Sequence, residues 1–336
     1  MKQSRREFLG NAGKLFTGIC LLPAKTPKVI ISGAGDVTLG WAFPRMFDAL
    51  KKEFGEEYAF QAPFEKVAEY FRNSDISIVN LEGTLTNYTN PRPKKFNFRG
   101  SPEFAKCLNL GNISIVNLSN NHFMDFYERG AIETIETLEE SKIEYCGGGR
   151  TIEEASKPKI IEKNGIKIAF LGYADIGKEY PARIGRAGTN PFEIEKIKRE
   201  VNEAKSISDI VAVSCHWGIE RAVIPTNTQE TYAKTLVDSG ANIVFGHHPH
   251  VLQGIEKYNG AVIFYSLGNF VFGGNTFPND RDSIIARVTC NKTGVEDSEI
   301  VPVITHPRST YFQPFVPDEM KKREIELKLS KRSEQI

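Results

Sequence analysis

From Lys28 onward, short apolar runs alternate with stretches of helical period. The runs are Val29-Ile30-Ile31, Ile76-Ser77-Ile78-Val79, Ile113-Ser114-Ile115-Val116-Asn117-Leu118, Ile168-Ala169-Phe170-Leu171, Ile210-Val211-Ala212-Val213, Ile243-Val244-Phe245 and Val262-Ile263-Phe264-Tyr265-Ser266. Each has strand length, is rich in β-branched or aromatic residues, and is bounded by turn residues. Helical periodicity is carried by residues 64–72, 102–108, 130–141, 191–206 and 228–239. Pro102 and Pro191 suit the first turn of a helix, and Gly111 and Gly240 suit the end of one. Strands apolar at nearly every position need cover on both faces, so the alternation predicts an α/β fold with sheet flanked by helices.

The polar residues fall in a pattern of their own. Nearly every run ends in Asp, Glu, Asn or His: Asp36, Glu82, Asn120-Asn121-His122, His216, His247-His248-Pro249-His250 and Asn269. In layered α/β proteins the loops at one sheet edge share a crevice. Asp36, Glu82, Asn121, His216, His248 and His250 are therefore expected in one place. Five of the six histidines lie in these strand-end motifs. Imidazole together with carboxylate and amide oxygen suits a transition metal such as Mn, Fe or Zn, and does not suit the all-oxygen sites of Ca or Mg. A carboxylate bridging two ions is best placed at Glu82.

Composition narrows the class. With 336 residues, 40% hydrophobic and 25% charged, the chain is that of an ordinary globular protein. A formal net charge of +1 argues against nucleic acid as partner. The five cysteines are widely spread and fit neither a disulfide framework nor a paired-cysteine zinc site, and Cys215 reads as a small core residue. Ser4-Arg5-Arg6-Glu7-Phe8-Leu9, a modest apolar stretch and Pro23-Ala24 predict a twin-arginine-type export signal over residues 1–24. Without it, 43 basic and 42 acidic residues become 39 and 41, a slightly acidic chain destined for the periplasm or cell surface. Residues 87–99 form a basic, Pro-containing loop, and residues 173–190 a second long loop. Both follow site-bearing strands and read as lids or substrate walls. Arg92, Lys94, Lys95 and Arg99 are the loop's candidates for binding an anion, with Glu220 a further candidate for substrate contact. Residues 306–336 form a charged C-terminal extension, expected as a solvated helix or frayed tail.

Taken in order, Gly35-Asp36, Asn80-Leu81-Glu82-Gly83, Asn120-Asn121-His122 with Asp125, Cys215-His216-Trp217-Gly218 with Glu220, Gly246-His247-His248-Pro249-His250-Val251 and Tyr265-Ser266-Leu267-Gly268-Asn269-Phe270 closely resemble the poly-γ-glutamate capsule synthesis protein (CapA) family, a branch of the calcineurin-like metallophosphoesterases. The resemblance implies a four-layered sandwich of two mixed β-sheets flanked by helices, over residues 27–305. It implies one or two divalent transition metal ions held by Asp36, Glu82, Asn121, His216, His248 and His250. His122 matches a proton donor to the leaving oxygen, with Asp125 orienting it, and His247 takes a supporting or structural position. One position departs: the superfamily's Asp-x-His is Asp36-Val37-Thr38 here, which leaves the first metal position with fewer strong ligands.

Three functions follow from the resemblance and the residues. The first is an exported hydrolase with a phosphoesterase-type site, acting on a phosphoester or an anionic polymer. The second is a non-enzymatic polymer-binding component of a membrane poly-γ-glutamate synthase complex. The third is metal-assisted proton abstraction, as in an epimerase.

Overall fold

Inside each apolar run, odd and even positions face different layers, because successive strand side chains point to opposite faces. Ile168 and Phe170 join Val29, Ile31, Ile76, Ile78, Ile210, Ala212, Ile243, Phe245 and Phe264 in a core between two sheets. Their neighbours Ala169 and Leu171 instead pack outward with Val211, Val213 and Val244 against helices. The computed structural model describes residues 26–176, 180–272, 280–305 and 312–336. The expected export signal, residues 1–24, lies outside the described residues.

In chain order the strands of the two large sheets are β1 (Val29–Thr38), β2 (Ile76–Leu81), β3 (Ile115–Asn117), β4 (Glu144–Cys146), β5 (Lys159–Lys163), β6 (Ile166–Ala174), β7 (Ile210–His216), β8 (Ile243–His247), β9 (Ile255–Tyr258), β10 (Ala261–Phe264), β11 (Asn269–Phe272), β12 (Asp282–Asn291) and β13 (Gly294–Ile304). The first sheet has the order β13-β12-β1-β2-β3-β4, with β11 also pairing β1; the second has the order β9-β10-β8-β7-β6-β5. Both are mixed: β1, β2, β3 and β4 run parallel, as do β6, β7, β8 and β10, while β12, β13, β5 and β9 are antiparallel to their neighbours.

Helices α1 (Phe43–Phe54) and α2 (Tyr127–Glu140) cover the outer face of the first sheet through Phe43, Phe47, Leu50, Ile135 and Leu138. Helices α3 (Ile194–Ile207) and α4 (Asn227–Asp238) cover the second through Ile197, Val201, Ala233 and Leu236. The result is the expected four layers, helix, sheet, sheet and helix. Each fully buried large apolar side chain in these layers contributes about 1.5–3 kcal/mol.

All seven apolar runs are strands. The hairpin β12–β13 is not among them, because Arg287, Thr289 and a solvent-facing Glu296-Asp297-Ser298-Glu299 break its apolar pattern. The C-terminus differs from expectation. Helix α5 (Glu319–Ser333) is neither solvated all round nor frayed: Ile325 and Leu329, one turn apart, are buried against the inter-sheet core. Lys328 pairs with Asp280 and Asp282, and Arg332 with Asp280. Of the helix's four apolar positions Met320 and Leu327 are exposed, so the sequence signals no single buried face, yet Ile325 and Leu329 suffice once basic partners stand beside two acids. The four described cysteines, Cys107, Cys146, Cys215 and Cys290, are free and buried. No helix of the described residues is long and apolar enough to cross a membrane.

Candidate metal centre

The two sheets present their strand ends to one crevice. β1 delivers Asp36, the residue after β2 is Glu82, the turn after β3 carries Asn120, Asn121 and His122, and β7 ends on His216. β8 ends on His247 and leads into His248 and His250. Close backbone approach makes this convergence possible. A Cβ on Gly35 would stand 1.9 Å from the Gly268 carbonyl oxygen, and one on Gly246 2.0 Å from that of Tyr265, so neither position admits a side chain. His248 and His250 adopt left-handed backbone conformations (φ 92° and 58°), a strained pair that turns both rings into the crevice around Pro249.

Glu82 sits at the middle. Its side chain is fully buried, and neither carboxylate oxygen has a hydrogen-bond partner. Around Oε1 stand His122 Nε2 at 3.7 Å, His250 Nε2 at 3.9 Å and His216 Nε2 at 4.0 Å. Asp36, Glu82 and His216 place ligand atoms within 4.8 Å of one another. His216 Nε2 lies 2.8 Å from Asn121 Oδ1. His248 sets its ring 4.8 Å from that of His216, tilted 59° to it, and leaves Nδ1 unpartnered. A buried carboxylate with no donor is costly unless a cation completes it. The unpaired oxygens and the ring nitrogens turned toward them fit a divalent metal ion.

An amide network holds these groups. Asn80 Nδ2 donates to Asp36 Oδ1 at 2.9 Å and lies 3.2 Å from His216 Nδ1. Its Oδ1 accepts from Asn117 at 2.9 Å and Asn120 at 3.2 Å. Asn269 Oδ1 holds His250 Nδ1 at 2.9 Å. Asn80, Asn117, Asn120 and Asn269 carry no role in the sequence reading. Their place at strand ends was the available signal.

His122 is held by a different network. Asp125 Oδ2 accepts from His122 Nδ1 at 2.8 Å and from the Phe98 amide at 2.6 Å. The Phe98 ring lies flat on the imidazole, centroids 3.9 Å apart. The arrangement leaves Nε2 facing Glu82. Of the basic-loop candidates, only Lys94 reaches this centre: its ammonium pairs with Asp125 and donates to the Asn121 carbonyl at 2.9 Å. Arg92 is sandwiched between the rings of Tyr127 and Tyr180, and its Nε donates to the Met124 carbonyl at 2.7 Å. Arg99 donates to the Thr86 carbonyl. Lys95 and Glu220 are exposed. The rim is aromatic: Trp41, 44% exposed at φ 51°, packs edge-on against Phe96 and Phe98, and Phe272 packs on His250.

Burial and charge set the protonation of the metal-free centre. Burial and the adjacent Asp36 charge push the Glu82 carboxyl well above its ordinary range. Burial also raises Asp36, but His247 and His250 outweigh it and hold that carboxyl well below. Burial, then the charge of His250, lowers His248 to about 3. Burial opposes protonation of His250, yet Glu82 and Asp36 raise it to about 9. The signs give a pH profile. His248 favours the folded state as a neutral ring, a contribution present above about 6.5 and lost as pH falls toward about 3. His250 favours it as a cation, a contribution present below about 6.5 and lost as pH rises through about 9. Glu82, with its raised carboxyl, adds a loss as pH climbs above about 4.5, so thermal unfolding in chelator should peak on the acid side of neutral, between about 4.5 and 6.5, and fall on both sides. A flat profile across that window would contradict it.

The comparisons with known proteins agree with this architecture. The chain is 34% identical over 322 residues to the PGA biosynthesis protein CapA of Bacillus subtilis, covering 92% of this chain and 82% of that one. It is 30% identical over 289 residues to the capsule biosynthesis protein CapA of Bacillus anthracis, covering 82% and 67%. The NAD nucleotidase of Haemophilus influenzae superposes with a TM-score of 0.51 at 12% identity, over 91% of this chain and 63% of that one, which shows a shared fold. The profile of the bacterial capsule synthesis protein PGA_cap family matches residues 30–274, and with that match and those relatives the chain belongs to this family.

Proposed function

We propose that this chain is an exported, metal-dependent hydrolase of phosphoester-type bonds, working in capsule or poly-γ-glutamate metabolism. The observation that carries the reading is Glu82, buried and unpartnered among Asp36, His216 and His250, with a separately anchored His122 facing the same carboxylate. Asp36, Glu82, Asn121, His216, His248 and His250 would hold one or two divalent ions of the Mn, Fe or Zn type. An ion held there supplies Lewis-acid polarisation of a phosphoryl oxygen and activates water at neutral pH.

The protein's own groups do the rest. Asp125 accepts from His122 Nδ1 and so fixes the tautomer, leaving Nε2 to hand a proton to a leaving oxygen. Lys94 neutralises Asp125 and ties it to the Asn121 backbone, which keeps His122 and the amide ligand in register. Phe98 excludes water from one face of the imidazole. The paired arginines at Arg5 and Arg6 support export, and the relatives' names support the capsule setting. Direct polymer capture by the basic loop is less well supported, since Arg92, Lys94 and Arg99 are spent on internal contacts.

The test is hydrolysis of a generic phosphomonoester and phosphodiester by the Mn-loaded protein. His122→Ala is expected to lower the rate about 10²–10⁴-fold with metal content unchanged. A variant as active as its parent would remove His122 from the chemistry. A parent without metal-dependent hydrolysis would remove the hydrolase reading.

A further inference from the structure

We infer that His247 is a metal ligand of this centre, supplying beside Asp36 the imidazole that the Asp36-Val37-Thr38 segment lacks. The inference rests on the metal-binding reading given above. His247 is 1% exposed, and neither of its ring nitrogens has a hydrogen-bond partner. A neutral imidazole carries one donor and one acceptor, and a buried structural histidine finds partners for them. Two of the other histidines of the centre are held from behind in this way, whereas His248 keeps one ring nitrogen unpartnered: His216 Nδ1 lies on Asn80 and His250 Nδ1 on Asn269, each leaving Nε2 turned toward Glu82. His247 has no amide behind it. Its backbone carbonyl is taken by the Trp217 amide, so the ring alone is unaccounted for.

The geometry gives that ring a task. His247 Nδ1 lies 3.4 Å from Asp36 Oδ1, while His250 Nδ1 approaches the other oxygen, Oδ2, at 3.3 Å. Ligand atoms about 2.0–2.2 Å from a common ion, at tetrahedral or octahedral angles, stand about 3–3.5 Å from one another. The His247 to Asp36 separation has the size of one edge of a coordination shell. Thr38 cannot fill the place. It is buried, and its hydroxyl accepts from the Gly40 amide at 3.2 Å, committed to the turn that leads into α1. The strand pairing explains how β8 takes over. His216 and His247 are register partners on parallel strands, so both side chains leave the sheet on the same side and enter the crevice together. The imidazole missing from the end of β1 is thus provided from the second sheet, across the crevice.

Metal content and the ligand set of the bound ion test this directly, without reference to activity. The parent, His247→Ala and the closer isostere His247→Gln are loaded with Mn²⁺, freed of excess ion and assayed for bound metal. Nitrogen couplings to Mn²⁺ are then counted by pulsed EPR on protein labelled with ¹⁵N-histidine. The expected result is that both variants lose one coordinated nitrogen, and lose one ion per chain or bind it at least about 10–100-fold more weakly. Unfolding temperatures in chelator report that the variants are folded. The double variant Thr38→His with His247→Ala is expected to regain the lost nitrogen coupling. Variants with the parent's nitrogen count overturn the assignment, even where affinity falls, because His247 would then only orient other ligands. A parent that binds no Mn²⁺ overturns the metal-binding reading itself, so the two failures are distinct.

Discussion

Replacing Glu82 with Gln should stabilise the metal-free protein and abolish its stabilisation by divalent metal. The buried carboxylate has no donor on either oxygen and faces the Asp36 charge, and both effects push its carboxyl well above its ordinary range. A group with such a raised pKa costs folding stability as pH climbs from its unfolded value toward its folded one, so at neutral pH the metal-free protein carries that cost. Gln removes the charge and keeps the shape. A gain of about 1–3 kcal/mol is expected in chelator, the size of an uncompensated buried polar group. With metal the order reverses. An ion at 100 times its dissociation constant adds about 2.7 kcal/mol to the parent, and the variant without the central carboxylate should not receive it. Thermal or urea unfolding of both proteins with chelator and with Mn²⁺ measures all four states. A Glu82→Gln protein that is less stable without metal, or that keeps the parent's gain with metal, would show that the carboxylate is satisfied in some other way.

The second large effect lies in the C-terminal helix. Leu329→Asp should cost about 3–5 kcal/mol, the loss of a buried leucine compounded by an unpaired acid in the apolar inter-sheet core. Leu327, two positions away on the same helix, is 57% exposed, and Leu327→Asp should change stability by less than about 0.5 kcal/mol. Urea unfolding of the pair distinguishes a docked helix from a solvated one. Equal, small effects would mean that α5 does not hold the inter-sheet core closed.

Much of the site is legible in the sequence. A polar residue ending each apolar run is a one-dimensional trace of a sheet edge, so Asp36, Glu82, Asn121, His216, His248 and His250 could be gathered without contacts. The hydrogen-bond network behind them is not. Asn80 and Asn117 stand at strand ends like the others, but nothing in the sequence says whether such an amide holds a neighbouring side chain or only backbone. His247 was the harder case. Three histidines within four residues look interchangeable in sequence, and only the register of β7 with β8 and the positive φ of His248 and His250 separate their directions. The basic loop misled in the opposite way. Its charges suggested an open anion surface, whereas Lys94 is bound to Asp125 and Arg92 to two aromatic rings.

By itself, then, the sequence determined the layers and the edge of the sheets that bears the chemistry, because strand and helix periodicity and turn residues are local properties of the chain. The tertiary structure alone decided which polar groups remain unpaired, which lysine is spent on an internal acid, and that a charged C-terminal helix buries Ile325 and Leu329. Those outcomes depend on partners brought together from distant positions, and hydrogen bonding and burial at such contacts are set by the register and stacking of strands, which leave no local mark in the chain.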